Sequence, residues 1–267
     1  MSTFSKEHLD YLKKNKKRKI YIHLCQFLIV IFIIILWQLL TNYELINTFL
    51  YSSPYLVFKT SISLIKQGTL FSHIIITLYE VIISFIISMT IGLTISTILW
   101  WNKFLSKVFE PFLTVLNSLP KVALGPLIII WAGASINSII IMSLLISTFI
   151  TIINLHQAFI STNQNYLILL KSFKAQKIDI FLKAILPSNK KNIINSLKVN
   201  MSMNFIGVVM GELLVSKRGL GYLIMYGSQV FNINLVITSI FILTLLSFIL
   251  YYLITIIEKK FISRKNF

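Results

Sequence analysis

Residues 165–223 read NYLILLKSFKAQKIDIFLKAILPSNKKNIINSLKVNMSMNFIGVVMGELLVSKRGLGYL and form the one long polar interruption in an otherwise lipid-like sequence. The first half of this stretch alternates lysines with apolar residues at roughly helical spacing. This pattern predicts a pair of short amphipathic helices on the cytoplasmic side. We expect these helices to end at Leu186-Pro187, because proline has no N–H to donate to the helix ladder.

The overall composition is that of a membrane protein. Of the 267 residues, 56% are hydrophobic and 12% are charged, whereas a soluble domain contains about a quarter charged residues. Most of the surface must therefore face lipid. A hydrocarbon core about 30 Å thick needs about 20 apolar helical residues for each crossing. The sequence predicts an all-α integral membrane protein with about six transmembrane helices, a short external interfacial helix and a cytoplasmic helical loop.

Several classes of function are excluded by what the sequence lacks. The single Cys25 rules out an internal disulfide and a multi-thiolate metal site, and the four histidines show no ligand spacing. No nucleophile elbow or phosphate-binding glycine loop is present. We therefore expect no metal, no cofactor and no catalytic residue. The net charge of +17 flanks the apolar segments, as topology determinants do, so nucleic acid is not an expected partner.

The order of segments predicts four regions. Residues 1–19 form a basic cytoplasmic leader that orients the first span or, alternatively, binds anionic lipid. Residues 20–72 hold an uncleaved span, Ile20–Leu40, which is too long for a signal peptide and lacks a small-x-small cleavage site. They also hold an external interfacial helix that begins at Pro54 and ends near Gly68. The remaining regions are a core at 73–258, with its cytoplasmic loop at 157–191, and a basic cytoplasmic tail at 259–267.

Two predicted spans carry features that a plain membrane crossing does not need. The second span, His73–Trp100, contains Glu80, and an ionisable group in a span usually faces a bundle interior or a cavity. Because Glu80 lies near the outer boundary, we expect it to reach water instead. The third span, about Phe109–Trp131, is broken by three prolines, which free carbonyl groups that then need partners. The break at Asn117 and Pro120 predicts a kink that lines a pore, with an ordinary packing kink as the alternative.

The fifth span, about Ile193–Val215, has two faces. Gly207 and Gly211 form a Gly-x-x-x-Gly pair that lets another helix approach closely. Four other residues fall on one stripe at 3.6 residues per turn and are predicted to line a translocation path. The role of Glu212 in this stripe stays open between contact with solute, contact with a partner subunit and structural hydrogen bonding. The stripe consists of Met201, Phe205, Val208 and Glu212, and the fourth and sixth spans are predicted at Ile136–Leu155 and Leu235–Ile257.

The distribution of basic residues predicts the orientation. Six spans place both termini on one side of the membrane. Most of the 25 lysines and arginines then lie in the leader, the 157–191 loop and the tail, on that same side. The positive-inside rule assigns this side to the cytoplasm. The sequence thus predicts a multi-pass protein of the cell membrane with both termini cytoplasmic.

Three segments resemble the permeases of binding-protein-dependent ABC importers of type I, in the subgroup that handles nitrate, sulfonates and taurine. One is the first half of the 165–223 stretch. The others are residues 117–133, NSLPKVALGPLIIIWAG, and residues 206–224, IGVVMGELLVSKRGLGYLI. The resemblance covers about residues 50–258.

The cytoplasmic signature of this family matches only in part. The signature runs Glu-Ala-Ala, three residues, Gly, nine residues, an aliphatic residue, any residue, and Leu-Pro. Leu186-Pro187 matches its end. Ile168, Leu169 and Leu170 stand in place of Glu-Ala-Ala, and Lys174 stands in place of the glycine.

The resemblance implies a membrane subunit whose 157–191 loop couples a solute path to a separate ATPase. Leu170 and Phe173 would insert into a groove of the ATPase, and the lysines would orient the docking. We expect Lys174 to occupy an ordinary right-handed turn, because a positive φ is costly for a lysine. A solvated loop without a docking role is the alternative. The implied coupling residues are Leu170, Phe173, Lys174, Ala175, Lys177, Leu186 and Pro187.

The resemblance also implies partners and a class of solute. The partners are a second, identical permease copy, cytoplasmic ATP-binding subunits, an extracellular solute-binding lipoprotein or periplasmic binding protein, and the lipid bilayer. The implied solute is a small oxyanion such as nitrate, a sulfonate or taurine. A stand-alone secondary transporter or channel is the alternative. Such a protein needs buried charges for ion coupling, and only Glu80 and Glu212 qualify.

Overall fold

The structure, a computed structural model, describes residues 6–263 and consists of α-helices joined by short turns. No β-strand occurs between these residues, and two turns depart from α-helical geometry, a 3₁₀ turn at Lys121–Leu124 and a π-helical turn at Phe181–Ile185. The helices are α1 Lys6–Asn42, α2 Thr48–Tyr51, α3 Pro54–Lys66, α4 Thr69–Trp101, α5 Lys103–Ser118, α6 Gly125–Ala132, α7 Ile136–Ile160, α8 Gln164–Ser172, α9 Lys177–Ile180, α10 Leu186–Ser188, α11 Lys190–Val215, α12 Leu220–Gln229 and α13 Ile233–Ser263.

The chain divides into two units, residues 1–63 and 64–267. In the first unit, the apolar part of α1 is long enough to cross a membrane. The side chain of Gln38, near the end of α1, accepts a hydrogen bond from the Tyr55 N–H at 3.1 Å. The Ser53 hydroxyl accepts a hydrogen bond from the Leu56 N–H at 3.2 Å and so caps α3. The predicted start of this helix at Pro54 is confirmed.

Five of the described helices, α1, α4, α7, α11 and α13, are long and apolar enough to cross a membrane. A sixth span is formed if α5 and the Lys121–Ala132 stretch are taken together, and these two parts meet at 81°. The predicted all-α membrane fold with about six spans is therefore confirmed. Pro111 lies inside α5 without ending it. The helix ends where Leu119 becomes extended, the conformation that the following Pro120 favours.

The buried apolar residues of the second unit form two clusters. The larger cluster joins α4, α11, α12 and α13 and includes Val81, Val208 and Leu220. The smaller cluster joins the ends of α4 and α7 to the helical stretch that begins with α9. The core of this smaller cluster consists of Met89, Leu155, Phe159, Ile180, Phe181 and Ile185.

A buried polar network joins α11 to both α4 and α7. Asn200 and Asn204, one turn apart on α11, are fully buried. Asn200 donates to the Thr151 hydroxyl of α7 at 2.6 Å and accepts from the Ser88 hydroxyl of α4 at 3.1 Å. Asn204 donates to the Ser88 hydroxyl at 2.9 Å and accepts from the Ser143 hydroxyl of α7 at 2.8 Å. Two amide side chains therefore hold three helices together.

The same network fixes the register of these helices. The Ser147 hydroxyl lies 3.1 Å from Asn204 Oδ1 and 2.9 Å from the Ser143 carbonyl oxygen. The hydrocarbon interior of a membrane offers no water to replace such bonds, so separating the helices leaves buried amides unpaired. Sliding α11 by one residue would have the same effect.

Glycines on α11 let α7 approach closely. A Cβ at position 207 would overlap with the backbone of Ser143, and a Cβ at position 211 would lie 2.9 Å from the Cα of Ile139. Both contacts are with backbone atoms, which cannot move aside as the end of a flexible side chain can. Gly207 and Gly211 therefore face α7, the helix against which α11 packs.

We expect Asn204→Leu to lower the free energy of unfolding by about 1–3 kcal/mol, because it removes the buried amide partner of the Ser88 and Ser143 hydroxyls. The measurement is thermal unfolding of the full-length chain in detergent. Asn195→Leu is a matched control, since Asn195 is an exposed asparagine of the same helix. We expect the control to change stability by about 0.5 kcal/mol or less. Equal losses in the two variants would contradict the role given to the network.

Candidate functional site

Helix α8 exposes an apolar stripe. Tyr166, Leu169 and Phe173 lie about one turn apart on one face, and Phe173 is 74% exposed. Leu170 is half-buried and packs against the smaller hydrophobic cluster. Of the two residues predicted to insert into a partner, the structure thus leaves Phe173 accessible, whereas Leu170 is half-buried against the fold.

Helix α8 ends in a Schellman motif, a turn whose first residue after the helix cap has a left-handed backbone. This residue is Lys174, with φ +54°. The Lys174 N–H donates to the Lys171 carbonyl oxygen at 2.9 Å, and the Ala175 N–H donates to that of Leu170 at 3.0 Å. Ala175 and Leu170 both pack against the smaller cluster. The expectation of a right-handed turn at Lys174 is therefore wrong, because both hydrogen bonds require the left-handed conformation.

Lys177 contacts the end of α4. Its ammonium group donates to the carbonyl oxygen of Trp101, at a helix C-terminus, where the helix dipole favours a cation. The same group lies 5.9 Å from the ring centroid of Trp100 and 5.5 Å from that of Trp101, within the range of cation–π attraction. Lys177 therefore holds the 157–191 segment against α4.

An aromatic cluster completes this attachment. The buried ring of Phe181 lies 5.0 Å from that of Trp100 on α4 and 5.6 Å from that of Phe159 on α7, measured between centroids. The planes of Phe181 and Phe159 cross at 86°, the edge-to-face arrangement that aromatic pairs prefer. Ile185 is fully buried in the same cluster. The segment is thus packed against two spans and is not a solvated loop.

The helical stretch ends at Ser188, one residue after the predicted end at Leu186-Pro187. α9 continues through the π-helical turn into α10, and Leu186 itself is helical, with φ −61° and ψ −47°. The Leu186 N–H donates to the carbonyl oxygen of Phe181, five residues earlier. Pro187 follows this change of register and lies in the last turn of the helical stretch. The chain leaves the helix at Asn189.

Asn189 joins the two ends of the segment. The buried Asn189 amide donates to the Thr162 hydroxyl at 2.6 Å and to the Ile185 carbonyl oxygen at 2.9 Å. Its oxygen accepts from the Asn192 amide at 3.0 Å. The points where the chain enters and leaves the segment are therefore held side by side. Sequence reasoning did not single out Asn189.

The exposed surface beside the stripe is cationic. Lys171 and Lys174 are exposed. Lys183 pairs with Asp179 at 2.7 Å, and this hydrogen bond lowers the pKa of the Asp179 carboxyl. An apolar stripe bordered by lysines suits a partner that has an apolar groove with an acidic rim.

The residues predicted to line a translocation path lie in two different environments. Met201, Phe205 and Val208 are buried in the larger hydrophobic cluster. Asn117 and Pro120 lie at the bend between α5 and α6, outside both clusters. The Asn117 side chain accepts a hydrogen bond from the Lys121 ammonium group at 3.1 Å, and this group lies 5.5 Å from the ring centroid of Phe149. The path itself stays a prediction.

Glu212, the fourth residue of the stripe, is hydrogen-bonded within the chain. It is 1% exposed, and its carboxyl oxygens accept from the Thr77 hydroxyl and from the Gly221 N–H, each at 2.6 Å. The Thr77 hydroxyl also accepts from the Leu220 N–H at 2.9 Å. At Gly219, φ is +110° and a Cβ would overlap with the Glu212 carboxyl. Of the roles left open for Glu212, these contacts favour structural hydrogen bonding between α4, α11 and α12.

Glu80 is fully buried, and the expectation that it reaches water is wrong. It follows Thr77, the hydrogen-bond partner of Glu212, by one turn of α4. Within residues 6–263, no N–H or O–H group donates to the carboxyl oxygens of Glu80. Glu80 is enclosed because the turn between α11 and α12 and the beginning of α7 cover the N-terminal part of α4.

Residues 85–263 match the family of binding-protein-dependent transport system inner membrane components. A probable ABC transporter permease protein of Haemophilus influenzae is 28% identical over 88% of this chain and 95% of its own length. The formylaminopyrimidine transport permease protein ThiX of Halalkalibacterium halodurans is 27% identical over 82% and 87%. A putative aliphatic sulfonates transport permease protein, SsuC of Bacillus subtilis, is 25% identical over 98% and 95%.

Solved structures agree on the fold. A chain of the MetNI methionine ABC transporter in an inward-facing conformation superposes with a TM-score of 0.63 at 16% identity, over 74% of this chain and 97% of that one. A second crystal form of the same transporter gives a TM-score of 0.60 at 18% identity, over 71% and 92%. The resemblance to importer permeases inferred from three sequence segments is thus confirmed.

We expect Lys174→Gly to stabilise the end of α8 by about 1 kcal/mol, because a left-handed backbone costs a residue with a Cβ about 1–2 kcal/mol. The measurement is amide hydrogen exchange at Ala175, whose N–H closes the Schellman motif. Lys171→Gly is the matched control, since it places glycine within the helix and should weaken it by about 1 kcal/mol. Faster exchange at Ala175 in Lys174→Gly would show that the left-handed turn is not the relevant constraint.

Proposed function

The chain belongs to the family of binding-protein-dependent transport system inner membrane components, and from this we propose that it forms the solute path of an ATP-driven importer and is moved by a separate ATPase through its 157–191 segment. The observation that carries the proposal is the contrast within this segment. The stripe ending at Phe173 is exposed, whereas Phe181 and Lys177 are held against α4 and α7.

The attached side of the segment suits it to transmit force. A partner that moved the exposed stripe would also move Phe181, because the Schellman turn and the Asn189–Thr162 hydrogen bond restrict movement within the segment. Phe181 contacts the ends of both α4 and α7. These two helices share the buried amide network with α11. Movement of the stripe would then tilt the three helices as one body, a rigid-body mechanism of alternating access.

The proposed orientation places the 157–191 segment and both termini in the cytoplasm. The lysine-rich ends of α1, α8 and α13 support it, because cytoplasmic segments carry the excess of basic residues. The turns that follow α6 and α11 then face the outside. An external solute-binding protein would dock on that surface.

The proposed path lies between two identical copies of this chain. A single copy has six spans at most. Within the described part of the chain, the residues of the α11 stripe already pack in the larger cluster or, like Glu212, accept hydrogen bonds from other residues. The bend at Asn117 and Pro120 is the better candidate for the lining, since its residues lie outside the two hydrophobic clusters. The nearby Lys121 ammonium group has an amide oxygen and an aromatic ring as neighbours.

The proposed solute is a small oxyanion, such as a sulfonate. The support is the similarity to an aliphatic sulfonates permease over almost the whole chain, together with the half-buried cationic residue Lys121 at the bend. An uncharged heterocycle is the second candidate, because the formylaminopyrimidine permease is similar to the same extent. Selectivity in either case would rest mainly with the external binding protein.

We expect Phe173→Glu to reduce solute-stimulated ATP turnover of the assembled importer about tenfold or more, because it puts a charge where an aromatic anchor would enter an apolar groove. Insertion of the chain into the membrane should be unchanged. Ile168→Glu is the matched control, since Ile168 is 63% exposed on α8 but lies on the other side of the helix from the stripe. Unchanged turnover in Phe173→Glu would exclude the proposed docking.

We expect a cysteine placed at Lys191 to react with a membrane-impermeant thiol reagent in inverted membrane vesicles and to be protected in intact cells. The background is Cys25→Ser, which removes the single native thiol. A cysteine placed at Lys217 should show the opposite pattern. Labelling of position 191 from outside intact cells would contradict the proposed orientation.

A further inference from the structure

A surface groove lies between α11 and α13 and is lined mainly by apolar side chains. Its volume is about 610 Å³. The wall includes Ser202 and Ile206 of α11 and Ile240, Phe248 and Tyr251 of α13, and we call it the α11–α13 groove. Ile206 is 47% exposed and Phe248 is 66% exposed, so the groove is open. Both helices are long and apolar enough to cross a membrane, and alkyl chains are the molecules that such surroundings supply.

An ion pair borders the end of the groove that is nearest the 157–191 segment. Lys198 of α11, one turn before Ser202, donates to the carboxylate of Glu258 on α13. The Lys198 ammonium group also lies 5.3 Å from the ring centroid of Tyr251, which belongs to the groove wall. Charged groups avoid the hydrocarbon core of a bilayer. The ion pair therefore marks where the groove reaches the polar surface of the membrane, and we call this end the mouth.

Two further lysines make the mouth cationic. Lys191 precedes Ser202 by three helical turns, and Lys259 follows Phe248 by three, so each lies on the groove side of its helix. Both lysines are exposed. Together with the ion pair, the mouth has three ammonium groups and one carboxylate, a net charge of +2. Residues 219–257 contain no charged side chain, so along α12 and α13 the charge is confined to this end.

The length of the groove matches one leaflet of a bilayer. From Lys198 at the mouth to Met210, the lining residue farthest along α11, the helix rises about 18 Å at about 1.5 Å per residue. The hydrocarbon core is about 30 Å thick, so one leaflet contributes about 15 Å. A lipid chain whose head group lies beside Lys198 would therefore reach along most of the groove.

We propose that the α11–α13 groove binds one anionic phospholipid, with an acyl chain against Ile206 and Phe248 and its phosphate at the mouth beside Lys191. Apolar contact alone does not favour this lipid over its neighbours, because a chain in the groove and a chain in the bilayer both have hydrocarbon surroundings. The head group supplies the preference, since clustered lysines at the polar surface attract anionic lipids. This site goes beyond the proposed function and depends on neither the solute nor the ATPase.

A second copy of the chain is the other occupant that an apolar groove of this kind could take. The bend proposed to line the solute path packs elsewhere, since Lys121 donates to the Ile146 carbonyl oxygen of α7 at 3.5 Å and α7 contributes no residue to the groove wall. A two-fold axis normal to the membrane at the groove would also bring two mouths of net positive charge together. Like charges in such contact repel, so the charge favours an anionic lipid.

The experiment uses the full-length chain, stripped of lipid in a neutral detergent, and measures bound lipid by native mass spectrometry. The probes are phosphatidylglycerol, phosphatidylcholine with the same acyl chains, and glycerol phosphate. We expect one phosphatidylglycerol to bind to each chain. Phosphatidylcholine should bind about fivefold more weakly or less, because its head group has no net negative charge. Glycerol phosphate, which has no acyl chain, should not bind detectably.

Two variants separate the head-group contact from the groove. Lys191→Gln should weaken binding of phosphatidylglycerol about fivefold and leave that of phosphatidylcholine unchanged. Lys190→Gln is its matched control, since Lys190 is exposed but lies on another side of α11. Ile206→Trp fills the groove and should abolish detectable binding of both lipids. Ile249→Trp is the control for this variant, because Ile249 is 51% exposed on α13 and lies outside the groove wall.

Four results would overturn the proposal. Equal affinity for the two lipids would show that only ordinary bilayer lipid covers the groove. Equal binding of glycerol phosphate and phosphatidylglycerol would indicate an anion site that takes no lipid chain. Undiminished binding in Ile206→Trp would place the lipid elsewhere on the chain. Loss of a dimer of this chain in Ile206→Trp, but not in Ile249→Trp, would assign the groove to a second copy.

A second variant keeps the test decisive if Ile206→Trp does not fold. Thr244 lines the same groove from α13 and is exposed, so Thr244→Phe fills the groove from the opposite wall. This variant should also abolish detectable binding of both lipids. Binding at the level of the unmodified chain in Thr244→Phe would exclude the groove as the site.

Discussion

Every buried polar group in a lipid environment must find its hydrogen-bond partner within the protein. Asn200 and Asn204 are the strictest case in this chain, because each amide is satisfied only while α4, α7 and α11 stay in register. The Gly207 and Gly211 contacts then set the distance between α11 and α7. The three helices are held in register for this reason, and the remaining elements of the second unit pack against them.

Two attachments, at opposite ends of these three helices, differ in chemistry. At the end where the 157–191 segment packs, aromatic rings surround Phe181, and the C-terminus of α4 accepts a hydrogen bond from the Lys177 ammonium group. At the other end, α12 is held by Glu212 and Thr77 through N–H and O–H groups. The second attachment consists of directional hydrogen bonds, whereas the first consists mainly of contacts between rings.

The spans and their breaks could be predicted because hydropathy and proline act locally. The start of α3 at Pro54 and the break at Pro120 follow from the chemistry of single residues. The asparagines of α11 went unnoticed, although their spacing of four residues matches Ser143, Ser147 and Thr151 on α7 and provided a signal. Which polar residues meet across helices depends on packing, and a single sequence does not contain that information.

The predictions that failed were decided by tertiary contacts. Lys174 is left-handed because Ala175 and Leu170 are held by the smaller cluster, which outweighs the intrinsic preference of lysine. Glu80 is enclosed because the turn after α11 covers it. The sequence around Glu80 could not show that this turn covers it, since the turn belongs to a distant part of the sequence.

The separation of the network in sequence has a consequence for biosynthesis. Ser88 and Asn200 are 112 residues apart, so α4 and α7 leave the ribosome and enter the bilayer well before α11 is made. Until then their serines and threonines can only bond to their own helix backbones, as Thr151 does to Ser147. In a nascent chain, α4 and α7 therefore lack the hydrogen bonds to α11 until translation passes Asn204. During that interval, the quality-control machinery of the membrane would encounter loosely associated helices.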